Sequence, residues 1–223
     1  MHQKKSKKIL LFLFLFIFIG TINNKNLVHK NFFKVNEILI FGLDEEKKKR
    51  IIENLNFLKL NNLFYLNKVE IINVISANNI VESFSVFKRY PSSLDITIIE
   101  TKFLAQLKKD GKNFYLGSNG KLIKAETIRQ DIPFIFGEFK IDDFFQLKEV
   151  IDNSEFNFNE IKNLFSFKSG RWDMETNSGI LLKLPKYDIK KSINLFLDLL
   201  ESDKFNNINE IDLRQRNQII INE

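Results

Sequence analysis

VESFSVFKRYPSSLDITIIE, residues 81–100, holds two alternating runs on either side of a proline break. Before the break Phe84, Val86 and Lys88 alternate with Ser85 and Phe87; after it Leu94, Ile96 and Ile98 alternate with Asp95 and Thr97. Period-two patterning across Tyr90-Pro91-Ser92-Ser93 reads as two adjoining antiparallel strands. Pro91 suits the break, because its fixed φ favours a turn and its missing N–H costs no ladder bond there. A hairpin must lay its apolar face on something, so the flanking segments decide what fold it belongs to.

Upstream, a strand at about 33–41 ends at Gly42, and Asp44 caps a helix whose first turn carries Glu45 and Glu46. Acids there suit the positive end of the helix dipole. Ile51, Ile52 and Leu55 supply that helix's buried side. Asn67 to Glu70 reads as a capping box for a second helix, with Val69, Ile72 and Ile75 on one stripe. The order up to Glu100 is therefore β-α-α-β-β. Beyond it the pattern changes to short strands and tight turns: FLAQL, the KKDG turn, NFYL, the GSNG turn and KLI form a meander. A helix over 142–151 and the strand KNLFSF follow, and Asn177-Ser178-Gly179 joins WDMET to GILLKL. Asp188 then caps an amphipathic helix with Ile189, Ile193, Phe196, Leu197 and Leu200 on its buried face. NEIDLR (209–214) and NQIIIN (217–222) close the chain as two strands around Gln215-Arg216. Ile219 and Ile221 share one face of the last strand, and Gln218, Ile220 and Asn222 the other. The fold class is α+β.

The net charge of +6 is misleading taken whole. Six of the 34 basic residues lie in residues 1–30, which hold no acid, leaving 28 bases against 28 acids in the remainder. A neutral body offers no electrostatic footprint for nucleic acid. The basic excess belongs to an N-terminal membrane signal: Lys4, Lys5, Lys7 and Lys8 precede an unbroken apolar run from Ile9 to Ile19 that extends to Ile22. Those 14 residues (9–22) make roughly 21 Å of helix against a hydrocarbon core of about 30 Å. Snorkelling lysines and local thinning stretch the effective span. No pair of small residues follows the run to mark a cleavage site. We therefore expect an uncleaved signal anchor, with a cytoplasmic tail at 1–8, a span at 9–22, a linker at 23–31, one domain at 32–100 and a second at 101–223. The positive-inside rule puts everything after residue 22 outside the cytoplasm.

Chemistry-bearing constellations are scarce. There is no cysteine, which removes disulfides and thiolate metal sites. His2 lies in the basic tail and His29 in the linker, too far apart to pair as a base or a metal site. GSNG (117–120) lacks the spacing of a phosphate loop or a nucleophile elbow. Asp142-Asp143 and Asp44-Glu45-Glu46 stand at helix starts, where acids are expected. Trp172 sits in an alternating strand as a core residue. The 24 phenylalanines we read as the bias of an AT-rich genome rather than as an aromatic binding surface. No catalytic residue, metal, cofactor, nucleic acid or small-molecule substrate is expected.

Together, FKVNEILIFG (33–42), NLFYLN (62–67), the 81–107 hairpin segment, PFIFG (133–137), GRWDMETNSGILLKLP (170–185) and NEIDLRQRNQIIIN (209–222) resemble the FtsQ/DivIB cell-division family. The resemblance implies a polypeptide-transport-associated (POTRA) domain at 32–100 closed by the RYP hairpin, then the family's mostly antiparallel β domain with flanking helices. It implies a non-enzymatic divisome scaffold of the bacterial inner membrane, single-pass, with a cytoplasmic N-terminus and a periplasmic body at the septum. There it would bind FtsB and FtsL to control septal peptidoglycan synthesis. By the same resemblance the last strand meets FtsB, with Arg214, Gln215, Gln218, Ile219, Ile220 and Ile221 as contacts and Lys190 or Lys191 adding charge. Tyr90 and Pro91, with the second helix, would form a docking region of the POTRA domain. The chain departs from the family in carrying Gln215 and Arg216 after DLR. The residues alone leave open an envelope enzyme whose site carries no signature, or a POTRA module of outer-membrane protein assembly. Protein purified from membranes should retain residues 1–22, which intact mass spectrometry reads directly; a mature N-terminus near residue 22 would instead mean cleavage and a soluble periplasmic body.

Overall fold

The structure, a computed structural model, describes residues 3–22, 33–201, 208–215 and 218–222. The expected linker, both histidines and Arg216 lie outside the described residues. The N-terminal segment is helix α1, Gln3–Ile22. No helix among the described residues is long and apolar enough to cross a membrane. In α1 the reason is the four lysines at its start, which leave only the apolar stretch from Ile9 onward. The remainder divides into two compact units, residues 33–78 with 83–99 and residues 79–82 with 100–223.

In the first unit, β1 (Glu37–Phe41), α2 (Glu45–Asn54), α3 (Lys68–Ser76), β2 (Val81–Arg89) and β3 (Ser93–Glu100) follow in chain order. The sheet order is β1-β3-β2. β1 runs parallel to β3, with Ile38 beside Leu94 and Ile40 beside Ile96. These four side chains, Ile98, and Ile51, Leu55, Ile71 and Ile75 of the helical segments are buried. Asp44 caps α2 as expected, accepting from the Lys47 N–H at 2.9 Å. At α3 the cap is Asn67, which accepts from the Val69 N–H at 3.0 Å. Its amide donates to Glu70 at 3.4 Å, so the glutamate reaches the cap side chain rather than a backbone N–H.

Two expectations need correction here. The first strand begins at Glu37 rather than 33, because Lys34 makes only an isolated bridge to Asn62. The buried stripe of α3 is Ile71 and Ile75, while Val69 and Ile72 are exposed. Apolar residues cover more than half of this helix's circumference, so periodicity alone does not select the buried face.

The second unit is a nine-stranded sheet, ordered β12-β11-β10-β9-β8-β7-β4-β5-β6. Its strands are β4 (Phe103–Lys109), β5 (Lys112–Gly117), β6 (Leu122–Lys124), β7 (Phe134–Phe136), β8 (Ile161–Ser166), β9 (Trp172–Thr176), β10 (Leu181–Lys183), β11 (Glu210–Asp212) and β12 (Ile220–Asn222). Five of the eight pairings are antiparallel. Two helices, α4 (Ile141–Asp152) and α5 (Ile189–Leu200), contribute Phe144, Leu147, Ile151, Ile193 and Phe196 to its core. One row of side chains crosses the sheet in register: Leu107, Ile135, Leu164, Met174, Leu182 and Ile211 are buried, and Ile221 packs against them at the end. Asp110 and Gly111 both take positive φ in the β4–β5 turn, the requirement of a two-residue hairpin. At the start of α5 a further expectation is corrected. Asp188 adopts φ 61 and makes no side-chain cap bond, and Leu200 is exposed.

Two glycines of this unit share a backbone conformation and differ in surroundings. Gly137 (φ 89) sits where a Cβ would run into the Ser166 carbonyl, whereas around Gly179 (φ 92) nothing lies within 4 Å. Gly179→Ala should cost about 1–2 kcal/mol for the left-handed backbone alone. Gly137→Ala, which must also push β8 aside, should cost at least twice as much in urea unfolding. Equal losses would show that the β7–β8 approach is not closely packed.

Candidate functional site

The sheet ends on β12, and the backbone dictates which of its groups are left over. The Leu181 N–H donates to the Asn209 carbonyl at 2.9 Å, and the Leu213 N–H donates to the Lys183 carbonyl at 3.0 Å. The Asn209 carbonyl and the Leu213 N–H thus face β10, while the Asn209 N–H, at the entry to β11, donates to the Asn222 carbonyl at 3.1 Å; by alternation within β11, Glu210 and Asp212 face β12. Glu210 pairs with Asn222 and Asp212 with Ile220. The N–H and C=O of Ile221, and by the same alternation of Ile219, therefore point to the open side. Such groups are a template for another strand. Ile220, in contrast, spends its backbone groups on β11.

Beside this edge lies a groove of about 830 Å³. The start of α5 forms one wall with Asp188, Lys191, Ser192 and Leu195; the segment before it adds Pro185, Lys186 and Tyr187. Leu213, Arg214, Gln215, Gln218 and Ile219 form the other. Five residues expected from the sequence, Arg214, Gln215, Gln218, Ile219 and Lys191, meet here. Lys190 lines an adjoining recess with Asn194 and Asp198. Ile219 and Ile220 are 41% and 46% exposed, while Ile221 turns to the core. Tyr90 and Pro91 belong to the first unit, where the Tyr90–Pro91 peptide is cis. Tyr187, 71% exposed, was missed; an aromatic next to an expected helix cap was its only sequence signal.

The electrostatics are paired. Arg214 grips Asp212: its Nε donates to Oδ1 at 2.8 Å and to Oδ2 at 2.9 Å, and its Nη2 also donates to Oδ2. The Asp212 carboxylate also accepts from the Arg214 backbone N–H at 3.0 Å. One register row on this face reads Asp173, Lys183, Asp212, Ile220. Lys183 pairs with Glu210 at 2.7 Å, and Arg171 with Asp173 at 3.2 Å. The hydrogen bonds from Arg214 hold the Asp212 carboxyl below its ordinary 3.8. Burial does the reverse to Asp173, raising it, with Arg171 offsetting only part. Among the described residues no three His, Cys, Asp or Glu side chains gather in a way that holds a metal ion. Trp172 is buried and meets Phe139 edge-on at 5.7 Å, a core contact.

Comparison with known families adds two matches. The model described as POTRA domain, FtsQ-type, covers residues 33–101, and the model described as cell division protein FtsQ/DivIB, C-terminal, covers residues 105–214. The second match ends at Arg214, so β12 lies beyond it. Among individual proteins, cell division protein FtsQ of Rickettsia bellii is 24% identical over 196 residues, covering 85% of this chain and 72% of that protein. Cell division protein DivIB of Clostridium botulinum is 26% identical over 197 residues, covering 78% and 74%. The solved major extracytoplasmic domain of DivIB from Geobacillus stearothermophilus covers 45% of this chain and 91% of its own, at 14% identity and a TM-score of 0.35.

The paired carboxylates give opposite pH signatures. A depressed carboxyl such as Asp212 adds stability that is present above its unfolded value and lost as pH falls through the folded one. Asp173, raised, opposes folding as pH climbs from the unfolded value through the folded one. Arg214→Gln should therefore lower stability at pH 7 by about 1 kcal/mol, modest because the guanidinium is partly solvated. The gap to the unsubstituted protein should close as pH falls below about 3.8 and Asp212 protonates. Urea titrations across pH 2.5–7 read both; a pH-independent gap would place the stabilising contact elsewhere.

Proposed function

The chain belongs to the FtsQ/DivIB family of cell-division proteins, and we propose that it acts as a non-enzymatic scaffold which takes an extended segment of FtsB as a further strand beside β12. The observation that carries this reading is the outward aim of the Ile219 and Ile221 backbone groups, bordered by a groove with apolar and basic walls. Strand addition supplies affinity through main-chain hydrogen bonds and specificity through side-chain pockets. Ile219, Leu195 and Tyr187 offer apolar surface, and Lys191 and Arg214 offer charge to an acidic residue of the added segment. FtsL joins the same assembly, which controls septal peptidoglycan synthesis. The first unit recruits, with the Tyr90-Pro91 turn and the exposed Val69 and Ile72 of α3 as its docking region.

In this reading α1 is the membrane anchor. Lys4 to Lys8 stay on the cytoplasmic side, the bilayer thins around the short apolar stretch, and the body stands in the periplasm at the septum. The positive-inside rule supports that orientation.

Backbone geometry sets the test. Ile219→Pro deletes an outward donor at an exposed position and leaves the β11–β12 pairs in place. It should weaken binding of the FtsB periplasmic segment roughly tenfold, the equivalent of one backbone hydrogen bond. The melting temperature should stay within a few degrees. Ile220→Pro, which removes a donor aimed at β11, should instead undo β12 itself. Unchanged affinity in a folded Ile219→Pro variant would put the partner site elsewhere.

A further inference from the structure

The first unit carries an aromatic surface of which the division-partner reading uses only Tyr90. The Phe33 and Phe64 rings meet edge-on at 4.6 Å, and Phe64 and Tyr90 lie 4.8 Å apart. All three are exposed, and Tyr65, next along the chain from Phe64, is 87% exposed. The Lys88 ammonium donates to the Phe64 carbonyl at 3.2 Å, which ties the turn carrying Phe64 to β2. Lys34 and Arg89, both exposed, flank Phe33 and Tyr90 in the chain, and Arg89 is paired with Asp95 at 2.6 Å. Tyr65 and Tyr90, rings with polar tips, stand beside the wholly apolar Phe33 and Phe64 and among Lys and Arg stems, a composition that suits the boundary between headgroups and acyl chains.

Chain connectivity says which surface this patch meets. Phe33 belongs to the cluster and is also where the chain enters the unit, ten residues (23–32) after the end of α1. Ten residues span at most about 35 Å. With α1 in the membrane, Phe33 can never be farther than that from the lipid surface. A patch confined to a hemisphere of that radius meets the surface at an effective concentration on the order of 10 mM, so a weak contact suffices to hold it.

We propose that Phe33, Phe64, Tyr65 and Tyr90 form a lipid-facing surface that seats the first unit on the periplasmic leaflet of its own membrane, with Lys34 and Arg89 toward anionic headgroups. This rests on the anchor reading of α1. It reassigns Tyr90 from partner docking to lipid and leaves Val69 and Ile72 of α3 as the docking face.

The test uses the full chain reconstituted in phosphatidylglycerol–phosphatidylcholine vesicles containing lipids brominated near the top of the acyl chain. Trp172, the single native tryptophan, is buried, so a tryptophan introduced at Tyr65 dominates the quenchable signal. Ile99→Trp, at the opposite end of β3 from the Tyr90 turn, is the control. Tyr65→Trp should lose a third or more of its emission to brominated lipid, Ile99→Trp almost none. Adding Phe64→Ser and Tyr90→Ser should restore the Tyr65→Trp emission while the melting temperature shifts little. Absence of quenching at Tyr65→Trp in protein that survives an alkaline wash overturns the surface and spares the anchor. So does equal quenching at both positions, or quenching that persists in the serine variants because a different face meets the lipid. Protein released by the wash overturns the anchor and this proposal together.

Discussion

A sheet that is not closed must end, and in the second unit the end is set by one in-register row of buried side chains. From Leu107 through Ile135, Leu164, Met174, Leu182 and Ile211, every strand contributes a residue to the same face. A slip of one residue in any strand would turn its whole apolar set to solvent. Register is therefore fixed cooperatively, and it fixes where Ile221 lands: on the core, at the margin. Once Ile221 faces inward, the backbone groups left to the open side follow from pairing geometry. The position of the open edge is thus a consequence of core packing several strands away.

The opposite face of the same strands is held differently. Asp173, Lys183 and Asp212 stand side by side on β9, β10 and β11, with Asp173 and Asp212 buried. Buried ion pairs contribute little net stability, since desolvation offsets most of the Coulomb gain. Here Asp173 and Asp212 take their cations, Arg171 and Arg214, from beside their own strands, and only the Lys183–Glu210 pair joins β10 to β11. The short strands β10 and β11, with three residues each, have few ladder bonds to hold alignment, and the Lys183–Glu210 pair adds one tie between them.

Much of this was legible beforehand. The hairpin at 81–100, the Asp44 cap and the NSG turn each rest on a local rule strong enough to survive folding: alternation, a capping oxygen, a glycine at positive φ. What failed were choices among equivalent local options. In α3 the residues Val69, Ile71, Ile72, Val74 and Ile75 give several apolar stripes, and only the sheet beneath decides that Ile71 and Ile75 go inward. At Asp188 the residue type suggested a side-chain cap, yet the chain leaving β10 reaches α5 through a left-handed residue whose carboxylate makes no cap hydrogen bond. The site divided in the same way. The terminal strand and Arg214 were readable from position and motif, whereas Tyr187 and Leu195 enter the groove only because α5 docks beside the β11–β12 segment. Phe33 and Phe64 were set aside as compositional bias and Tyr90 was read as a docking residue, since nothing in sequence spacing tells three rings separated by dozens of residues that they will touch.

Arg214 poses the sharpest question of role, because a residue committed to an internal ion pair looks unavailable to a partner. Its donor inventory resolves this. A guanidinium has five N–H groups in a planar fork. Asp212 engages Nε and one hydrogen of Nη2, which leaves both hydrogens of Nη1 and the second on Nη2. The side chain is partly exposed and lines the groove, so an acidic group entering the groove would have those donors within reach. Asp212 holds the guanidinium in one orientation and compensates its charge; under the proposed strand addition that would remove rotamer freedom an unpaired arginine would have to surrender. A carboxylate on the added strand would meet a cation already held in place, with ordering cost met during folding rather than at association.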